Sequence, residues 1–570
     1  MKNALLLALS LLAVGCGRCG GKEPTKEEKY TRISAPPEVL GIVSLRSPET
    51  SVASLRALWE RFAPPPPALS PETLRELVAT EGDVPLPALA EVDFAKSVWV
   101  IALDGKKVGG PEDVLAALVL PLRDEKKFFA ALAPSFAEKL EGDLRRFEPK
   151  AGGEPFSAAT ARGYAILGKT AETVRHALPF AAGSLIGQTP PGDLDVRVLL
   201  DHLFDEPGEF EQKTRGLADL LQGSPATLRW LDALRDAREG GGTLAVSRDG
   251  IVIDARIVAK DTGRTHDLVA RQQPGTPFGL ERLSPKSWLV YADHYAPASR
   301  AELAANAKTL AQDVDGVPPE KRAELAVAAE SVLGALDGAV SVALYRTGAG
   351  AGFGVQGAGK LTDRAKASAA LEKVGKSIAD AVGAEVASPR PGVRAIELAS
   401  LLSRLAAASS GLGADIGFAW AFADGALVWA GGPAAAEEAA LMAKGARSPG
   451  LATMPAFAKA AASSPGRIGF LYVSPIETAR ALMGAMGAMT PPSVGQALES
   501  AQETRGVLLE WGVDEARTRL EARLDLSAEA LLPLKPALDA MSGPSTPMMA
   551  PPHRPGPGPG PFRLRPPGTP

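Results

Sequence analysis

Residues 41–48, GIVSLRSP, place branched apolar side chains directly before Ser47-Pro48. Branched residues of this kind favour a buried strand. Ser followed by Pro is typical of a helix start, because serine caps the first turn and proline fits there. The stretch therefore predicts a strand over 39–45 and a helix directly after it. Residues 468–475, IGFLYVSP, repeat the pattern later in the chain.

The same succession of strands and helices is found twice around these units. In the first half, the pattern predicts strands over 98–103, 115–122, 163–168, 195–200, 243–247 and 251–258, and helices over 124–140 and 170–178. In the second half, it predicts strands over 339–345, 352–360, 416–421, 426–430, 468–473, 507–513 and 518–526, and helices over 362–382 and 434–443. Residues 284–291 restart the succession.

The connections between strands indicate the fold class. Hairpin signals such as Arg248-Asp249-Gly250 join neighbouring strands, and the helices do not follow a strict βαβ rhythm. We therefore expect an α+β fold with two related halves, 36–262 and 280–527, each a mainly antiparallel sheet covered by helices on one face. This layout resembles an uncharacterised domain-of-unknown-function family of secreted or anchored bacterial proteins, a resemblance that implies no functional site.

The N-terminus indicates where the protein is located. Lys2 precedes an apolar run over 4–15, which is shorter than the roughly 20 residues that span a bilayer. Leu12-Ala13-Val14-Gly15-Cys16 resembles the lipobox of bacterial lipoproteins, although Ala13 stands where leucine is commonest. The resemblance implies a signal peptide over 1–15 and a lipid on Cys16, carried as diacylglyceryl and acyl groups such as palmitate. A cleaved secretory signal without lipid is the alternative.

The same resemblance implies a place in the cell envelope. Gly17, rather than aspartate, follows Cys16. By the sorting rule of enteric bacteria, this implies anchoring in the outer membrane, facing the periplasm or the exterior. The only other cysteine is Cys19, so a disulfide scaffold and a cysteine-rich metal site are both excluded.

Two segments are expected to be disordered. Residues 16–35 form a lipidated tether of glycine and mixed charge. Residues 543–570 form a tail rich in proline and glycine, which prevents helix and sheet. His553, Arg554, Arg563 and Arg565 make the tail basic. It is either a solvated end or a contact for an anionic envelope polymer or a protein partner.

Composition excludes one class of partner. The chain has 570 residues, 45% hydrophobic content, a formal net charge of -4 and a pI near 6.0. Nucleic-acid binding requires a basic stripe that this balance does not favour. We therefore expect no nucleic-acid partner.

The glycine-rich stretch over 352–357 has the spacing GxGxxG, and Lys360 follows three residues after its end. Phosphate loops use bare glycine amides and require Ser or Thr after the lysine. Leu361 occupies that place, so we interpret the glycines as part of a closely packed strand. The sequence predicts no cofactor.

The histidines do not form a recognisable catalytic or metal motif. The tightest acid–histidine group is Asp201-His202 with Asp205-Glu206, which a helix or loop surface produces equally well. Asp293-His294 lies beside Tyr291 and Tyr295 at a strand end and is interpreted as a solvated rim, with a cleft lining as the alternative. No serine nucleophile is recognisable. We predict no catalytic and no metal-binding residue.

One helix carries Met483, Met486 and Met489 at every third position. Methionine adapts to irregular apolar partners, so this helix is a candidate face for an apolar ligand, with core packing as the plainer alternative. The sequence as a whole predicts a membrane-anchored envelope lipoprotein that acts as a non-enzymatic binding or scaffolding module. The alternatives are a periplasmic carrier or chaperone for apolar ligands and an unrecognised envelope hydrolase.

Overall fold

The chain forms an α+β structure, described here from a computed structural model. The structure describes residues 32–63, 84–203 apart from 111, 236–297, 319–347, 353–397, 416–462, 465–486 and 491–542, together with scattered residues of 70–79 and 300–305. The predicted signal peptide, Cys16, Cys19 and the tail over 543–570 lie outside the described residues.

Within the described residues, twenty strands form the sheet. The first ten are β1 Val39–Leu45, β2 Val98–Asp104, β3 Val114–Pro121, β4 Phe136–Glu141, β5 Leu144–Pro149, β6 Phe156–Ala161, β7 Tyr164–Gly168, β8 Leu194–Leu199, β9 Ala237–Ser247 and β10 Gly250–Ala259. The second ten are β11 Ser287–His294, β12 Leu336–Arg346, β13 Phe353–Leu361, β14 Val386–Arg390, β15 Val393–Glu397, β16 Ile416–Ala423, β17 Ala426–Pro433, β18 Arg467–Val473, β19 Val507–Val513 and β20 Arg519–Ser527.

The two sets of strands pair in the same order. The first set is ordered β4-β5-β6-β7-β3-β2-β1-β8-β9-β10. The second set is ordered β14-β15-β16-β17-β13-β12-β11-β18-β19-β20. Strand β10 pairs with β20, so the halves form one continuous sheet in which every pairing is antiparallel. The predicted fold class, with two related halves, is confirmed; the domain bounds 36–262 and 280–527 stay a prediction.

The described helices lie between these strands. They are α1 Pro48–Trp59, α2 Leu86–Leu89, α3 Glu125–Leu132, α4 Ala171–Phe180, α5 Leu200–Leu203, α6 Arg264–Arg271, α7 Pro319–Gly334, α8 Arg364–Val382, α9 Ala435–Ala443, α10 Ala458–Ala461, α11 Pro475–Met486, α12 Pro492–Ser500, α13 Ala528–Leu531 and α14 Lys535–Ser542. The equivalent helices α3 and α8 begin in the same way, because the Asp124 and Asp363 carboxylates each accept a backbone N–H of the first turn.

Two details of the sequence prediction are wrong. The helix predicted over 124–140 ends at Leu132, because Pro134 cannot continue it, and the chain re-enters the sheet as β4. Helices also cover both faces of the outer strands rather than one. In β3, for example, Leu120 packs in a core with α3, while its neighbour Val119 packs in a second core with α4.

The two units of strand, Ser-Pro and helix around 41–48 and 468–475 do not occupy equivalent places in the two halves. β1 occupies the same place in the first half as β11 does in the second, and β18 corresponds to β8. The strand order therefore repeats between the halves. The similar stretches 41–48 and 468–475, however, contain strands at neighbouring rather than equivalent positions of that order. A strand followed by a helix start recurs at both places because the local chemistry is the same.

Candidate functional site at the junction of the two halves

The central strands present two chemically opposite faces. Along β10, Ile251, Ile253 and Ile257 point to one side, and they pair with Leu526, Leu524 and Leu520 of β20. Because side chains alternate along a strand, these pairs share a single face. The apolar face continues over β19 through Leu509 and Trp511.

We call the apolar face of β10, β20 and β19 the junction face. Its larger side chains are all half-buried: Ile251, Ile253, Ile257, Leu509, Trp511, Leu520, Leu524 and Leu526. Helix α1 packs on one margin, where Leu58 joins Val246 and Ile251. Helix α6 packs on another, where Val269 joins Leu520 and Trp511. The strands between these margins keep apolar surface accessible, a feature that commonly marks an interaction site.

A row of small residues crosses the middle of the junction face. Ala522 pairs with Ala255, and Ala255 pairs with Gly242. The larger Ile253 and Leu524 flank this row on one side, and Ile257 and Leu520 flank it on the other. Ala255 is exposed. The row therefore forms a shallow apolar trough that runs across the strands.

The opposite face of the same strands is charged. It carries the ion pairs Asp254–Arg523, Arg256–Glu239, Arg256–Asp195, Arg197–Asp195, Arg467–Glu510 and Arg505–Asp525. An antiparallel sheet with one solvated face normally packs its other face on a core. At the junction, the face expected to be packed is the apolar one, which stays partly exposed.

A polar cluster lies on β11, on the same side of the sheet as the junction face. We call Tyr291, Asp293, Tyr295 and Trp511 the Asp293 cluster. The Tyr291 hydroxyl donates to Asp293 Oδ2 at 2.5 Å, and the Tyr295 hydroxyl donates to the Tyr291 oxygen at 2.6 Å. The His294 backbone N–H donates to Asp293 Oδ1 at 2.7 Å. The Tyr291 and Trp511 rings stack with centroids 5.6 Å apart.

Burial dominates the electrostatics of this cluster. Asp293 is only 9% exposed, and this desolvation raises the pKa of its carboxyl although Tyr291, the His294 backbone, the His294 charge and Trp511 all act to lower it. Desolvation and the nearby Asp293 charge likewise raise the pKa of Tyr291 far above its ordinary value. The interpretation of Asp293 as part of a solvated rim is therefore wrong.

The first half shows what the fold itself requires at this place. A bulge in β1–β2 lies between Val39 and Gly41, and the corresponding bulge in β11–β12 lies between Ser287 and Leu289. This register makes Leu45 the equivalent of Asp293 and Val43 the equivalent of Tyr291.

The cross-strand partners extend the comparison. Leu45 pairs with Leu194, which pairs with Leu244 on the next strand. In the second half, Asp293 pairs with Gly469, which pairs with Trp511. Leu45 and Leu194 are core residues, with Leu244 packed against them. The second half has an acid, a glycine and a tryptophan at the positions where the first half has three leucines.

Gly469 makes the arrangement of the Asp293 cluster sterically feasible. A Cβ at this position would lie 2.7 Å from Trp511 Cζ2 and 2.6 Å from the Ala292 carbonyl oxygen. Any larger residue would displace the indole from beside Asp293. The glycine therefore provides the space that Trp511 occupies.

The other residues singled out by the sequence lie elsewhere. Glycines 354 and 357 are in β13, where a Cβ at Gly357 would meet the Trp429 ring at 2.1 Å, in agreement with a closely packed strand. Gly352 lies outside the described residues. The His202 imidazole contacts the Val39 carbonyl oxygen at 2.8 Å. Asp205 and Glu206 of the acid–histidine group lie outside the described residues.

The candidate methionine face is only partly described. Met483 packs in a small core with Val494, Leu498 and Ala537, which joins α11, α12 and α14. Met489 and the side chain of Met486 lie outside the described residues. The methionine face stays a prediction.

A second acid with a raised pKa, the half-buried Glu503, contacts the start of α11. The Ser474 hydroxyl donates to Glu503 Oε2 at 2.7 Å and accepts the Glu477 backbone N–H at 3.0 Å, so it caps the helix. Ser474 is 1% exposed, which gives a substrate no access to its oxygen. Burial raises the pKa of Glu503 to about 7, against the hydrogen bonds from Ser474 and the Ile476 backbone and with the help of the Glu477 charge.

Within the ranges given above, no three His, Cys, Asp or Glu side chains are grouped so that they could hold a metal ion. None of the described helices is long and apolar enough to cross a membrane. The chain matches no protein-family model, no curated protein and no solved structure.

The sequence contained a signal for the junction face that the strand assignments alone did not use. Ile253, Ala255 and Ile257 alternate with Asp254 and Arg256 in β10, and Leu520, Ala522 and Leu524 alternate with charged residues in β20. Each alternation predicts a strand with one apolar face. The pairing of β10 with β20 joins the two faces, and no local pattern specifies a pairing between strands so far apart in the chain.

Proposed function

We propose that the protein is a lipid-anchored, non-enzymatic binding module of the bacterial cell envelope that holds an apolar or amphipathic ligand on the junction face. The observation that carries this proposal is the partly exposed apolar surface at the centre of a sheet whose opposite face is charged. Burying such surface contributes about 25 cal/mol per Å². A ligand on the junction face would gain this contribution without any rearrangement of the sheet.

The N-terminal sequence supports the envelope part of the proposal. The lipobox-like residues 12–16 imply that Cys16 carries a lipid and that the folded chain is held near the outer membrane, facing the periplasm or the exterior. An anchored binding module in this place would keep an apolar ligand out of the aqueous phase. Its partners would be the membrane, reached through the lipid, and an envelope polymer or protein.

The ligand-binding part is tested with a neutral apolar fluorophore. Nile red should bind the purified protein saturably and fluoresce more strongly. The variant Ala255→Gln should weaken binding by about tenfold or more, because it places a polar side chain in the trough at a position exposed enough to tolerate it without unfolding. Unchanged binding by this variant would refute the assignment to the junction face.

A matched control lies on the neighbouring strand. Ala245 is half-buried and pairs with Val252, on the charged side of the sheet. Ala245→Gln should leave the affinity for Nile red unchanged. Equal loss in both variants would indicate a general effect of the substitution rather than a site.

The anchoring part is tested separately. The full-length chain should fractionate with membranes and incorporate an alkyne-tagged palmitate. Cys16→Ser should abolish both properties, whereas Cys19→Ser should retain them. Membrane fractionation and labelling that survive the loss of Cys16 would refute lipidation.

A further inference from the structure

Asp293 is a buried acid that lacks the ion pairs of the other acids nearby. In the described part of the chain, no lysine or arginine forms an ion pair with Asp293, although the other buried acids of the central strands, such as Asp195 and Asp525, each contact two cationic groups. Buried carboxylates are normally paired. Among the described residues, His294 is the basic side chain whose charge acts on Asp293.

The groups around Asp293 are those that bind a cation from a ligand. Tyr291, Tyr295 and Trp511 bring three aromatic rings to one carboxylate. Aromatic faces attract ammonium groups through the ring quadrupole, and sites of this composition recognise quaternary ammonium ions. The three rings are half-buried, so each retains some accessible surface.

The cluster is continuous with the trough. Asp293 pairs with Gly469, Gly469 with Trp511 and Trp511 with Ala522, which begins the row of small residues. Adjacent strands are about 4.8 Å apart, so the three steps from Asp293 to Ala522 cover about 14 Å. An extended chain whose charged end lay at Asp293 would therefore reach the trough.

The comparison between the halves argues against a purely structural role for the cluster. Leu45 fills the place equivalent to Asp293 and is 4% exposed in a packed core. The same sheet is therefore built with apolar residues at this place. An acid there introduces a desolvation cost that the fold does not require, which points to a ligand.

We propose that the Asp293 cluster binds the cationic head of a single amphipathic ammonium compound whose apolar chain lies along the trough. Asp293 provides the opposite charge, and the Trp511 and tyrosine rings contact the ammonium carbons or hydrogens. This inference rests on the proposed function, because it assigns the ligand class of the same face. Positive charge on the ligand distinguishes the proposal from simple hydrophobic adsorption.

The test compares three amphiphiles with the same twelve-carbon chain, each below its micellar concentration. They are dodecyltrimethylammonium, the neutral dodecyl maltoside and the anionic dodecyl sulfate, and their affinities are measured by displacement of Nile red and by calorimetry. We expect dodecyltrimethylammonium to bind at least about tenfold more tightly than either other compound. Equal affinities would overturn the proposal.

Two variants locate the preference. Asp293→Asn should reduce the affinity for dodecyltrimethylammonium at least about tenfold and leave that for dodecyl maltoside unchanged. Trp511→Leu introduces the residue type that the first half has at the equivalent position, Leu244. This variant should lower the preference for the cation and retain Nile red binding. The second variant keeps the test decisive if the first does not fold.

The control is Asp254→Asn, which removes a carboxylate from the charged face, where Asp254 pairs with Arg523 at 3.5 Å. It should preserve the preference for the cation. A preference that survives both Asp293→Asn and Trp511→Leu overturns the proposal while leaving the junction face as an apolar site. Absence of Nile red binding by the wild-type protein overturns the proposed function as well.

Discussion

Replacing Glu503 by glutamine tests the electrostatics at the start of α11. Burial raises the pKa of Glu503 from 4.5 to about 7, and its Oε1 atom has no hydrogen-bond partner among the described residues. A difference of this size corresponds to about 3 kcal/mol, at 1.36 kcal/mol for each pKa unit. Glu503→Gln keeps an acceptor for the Ser474 hydroxyl and removes the charge.

The sign of the effect follows from proton linkage. An acid whose pKa is higher in the folded than in the unfolded state binds its proton more tightly when folded. Its contribution to stability is fully present below pH 4.5 and is lost as the pH rises through about 7. The wild-type protein therefore loses up to about 3 kcal/mol between these values, and Glu503→Gln does not.

The assay is urea denaturation of both proteins from pH 5 to pH 8. The free energy of unfolding of Glu503→Gln, relative to the wild-type protein, should rise by about 2–3 kcal/mol over this range. The control is Glu515→Gln, at an exposed glutamate in the β19–β20 turn, which should give a constant difference. Parallel curves for Glu503→Gln and the wild-type protein would refute the burial of an acid at this site.

Three further substitutions test the packing. Phe147 is 1% exposed and stacks on Phe129 and Phe156, so Phe147→Ala should lower the free energy of unfolding by about 3–5 kcal/mol, measured by denaturation. The control Phe353→Ala, at a half-exposed side chain, should change it little. Gly469→Ala should displace the indole of Trp511, measured as a shift in its fluorescence; an unchanged spectrum would contradict the contact. Arg467→Ala should cost about 3–5 kcal/mol in the same denaturation assay, because it leaves the Glu510 carboxylate and two carbonyl oxygens without their donor.

Local signals predicted the strands and helix starts well. The strand over 39–45 and the hairpin at 248–250 agree with the structure, and the helix predicted over 170–178 corresponds to α4, which Thr170 caps. These features depend on residues that are neighbours in the chain. The sequence does not predict the outer strands β4 and β5, because Phe136 and Leu140 have the spacing of a helix although the turn Glu141-Gly142-Asp143 follows.

Long-range features could not be predicted in the same way. The pairing of β10 with β20 depends on two strands that have no sequence connection other than matching alternation. Residues 41–48 and 468–475 have similar sequences but different places in the strand order, because any strand that is followed directly by a helix can have this local pattern. Strand order is fixed by packing among many elements, which no local sequence pattern specifies.

The Asp293 cluster shows how a repeat can distinguish structural from functional residues within one chain. The sequence places Tyr291, Asp293 and His294 at a strand end, and polar residues there are usually solvated. Asp293 is buried because β18 pairs with β11 and β19 pairs with β18, which places Trp511 beside it. Because Leu45 occupies the equivalent position in an apolar core, folding alone accounts for a leucine and not for an acid. The desolvation that raises the pKa of Asp293 is therefore a cost specific to the second half, and a cationic ligand is the partner that would offset it.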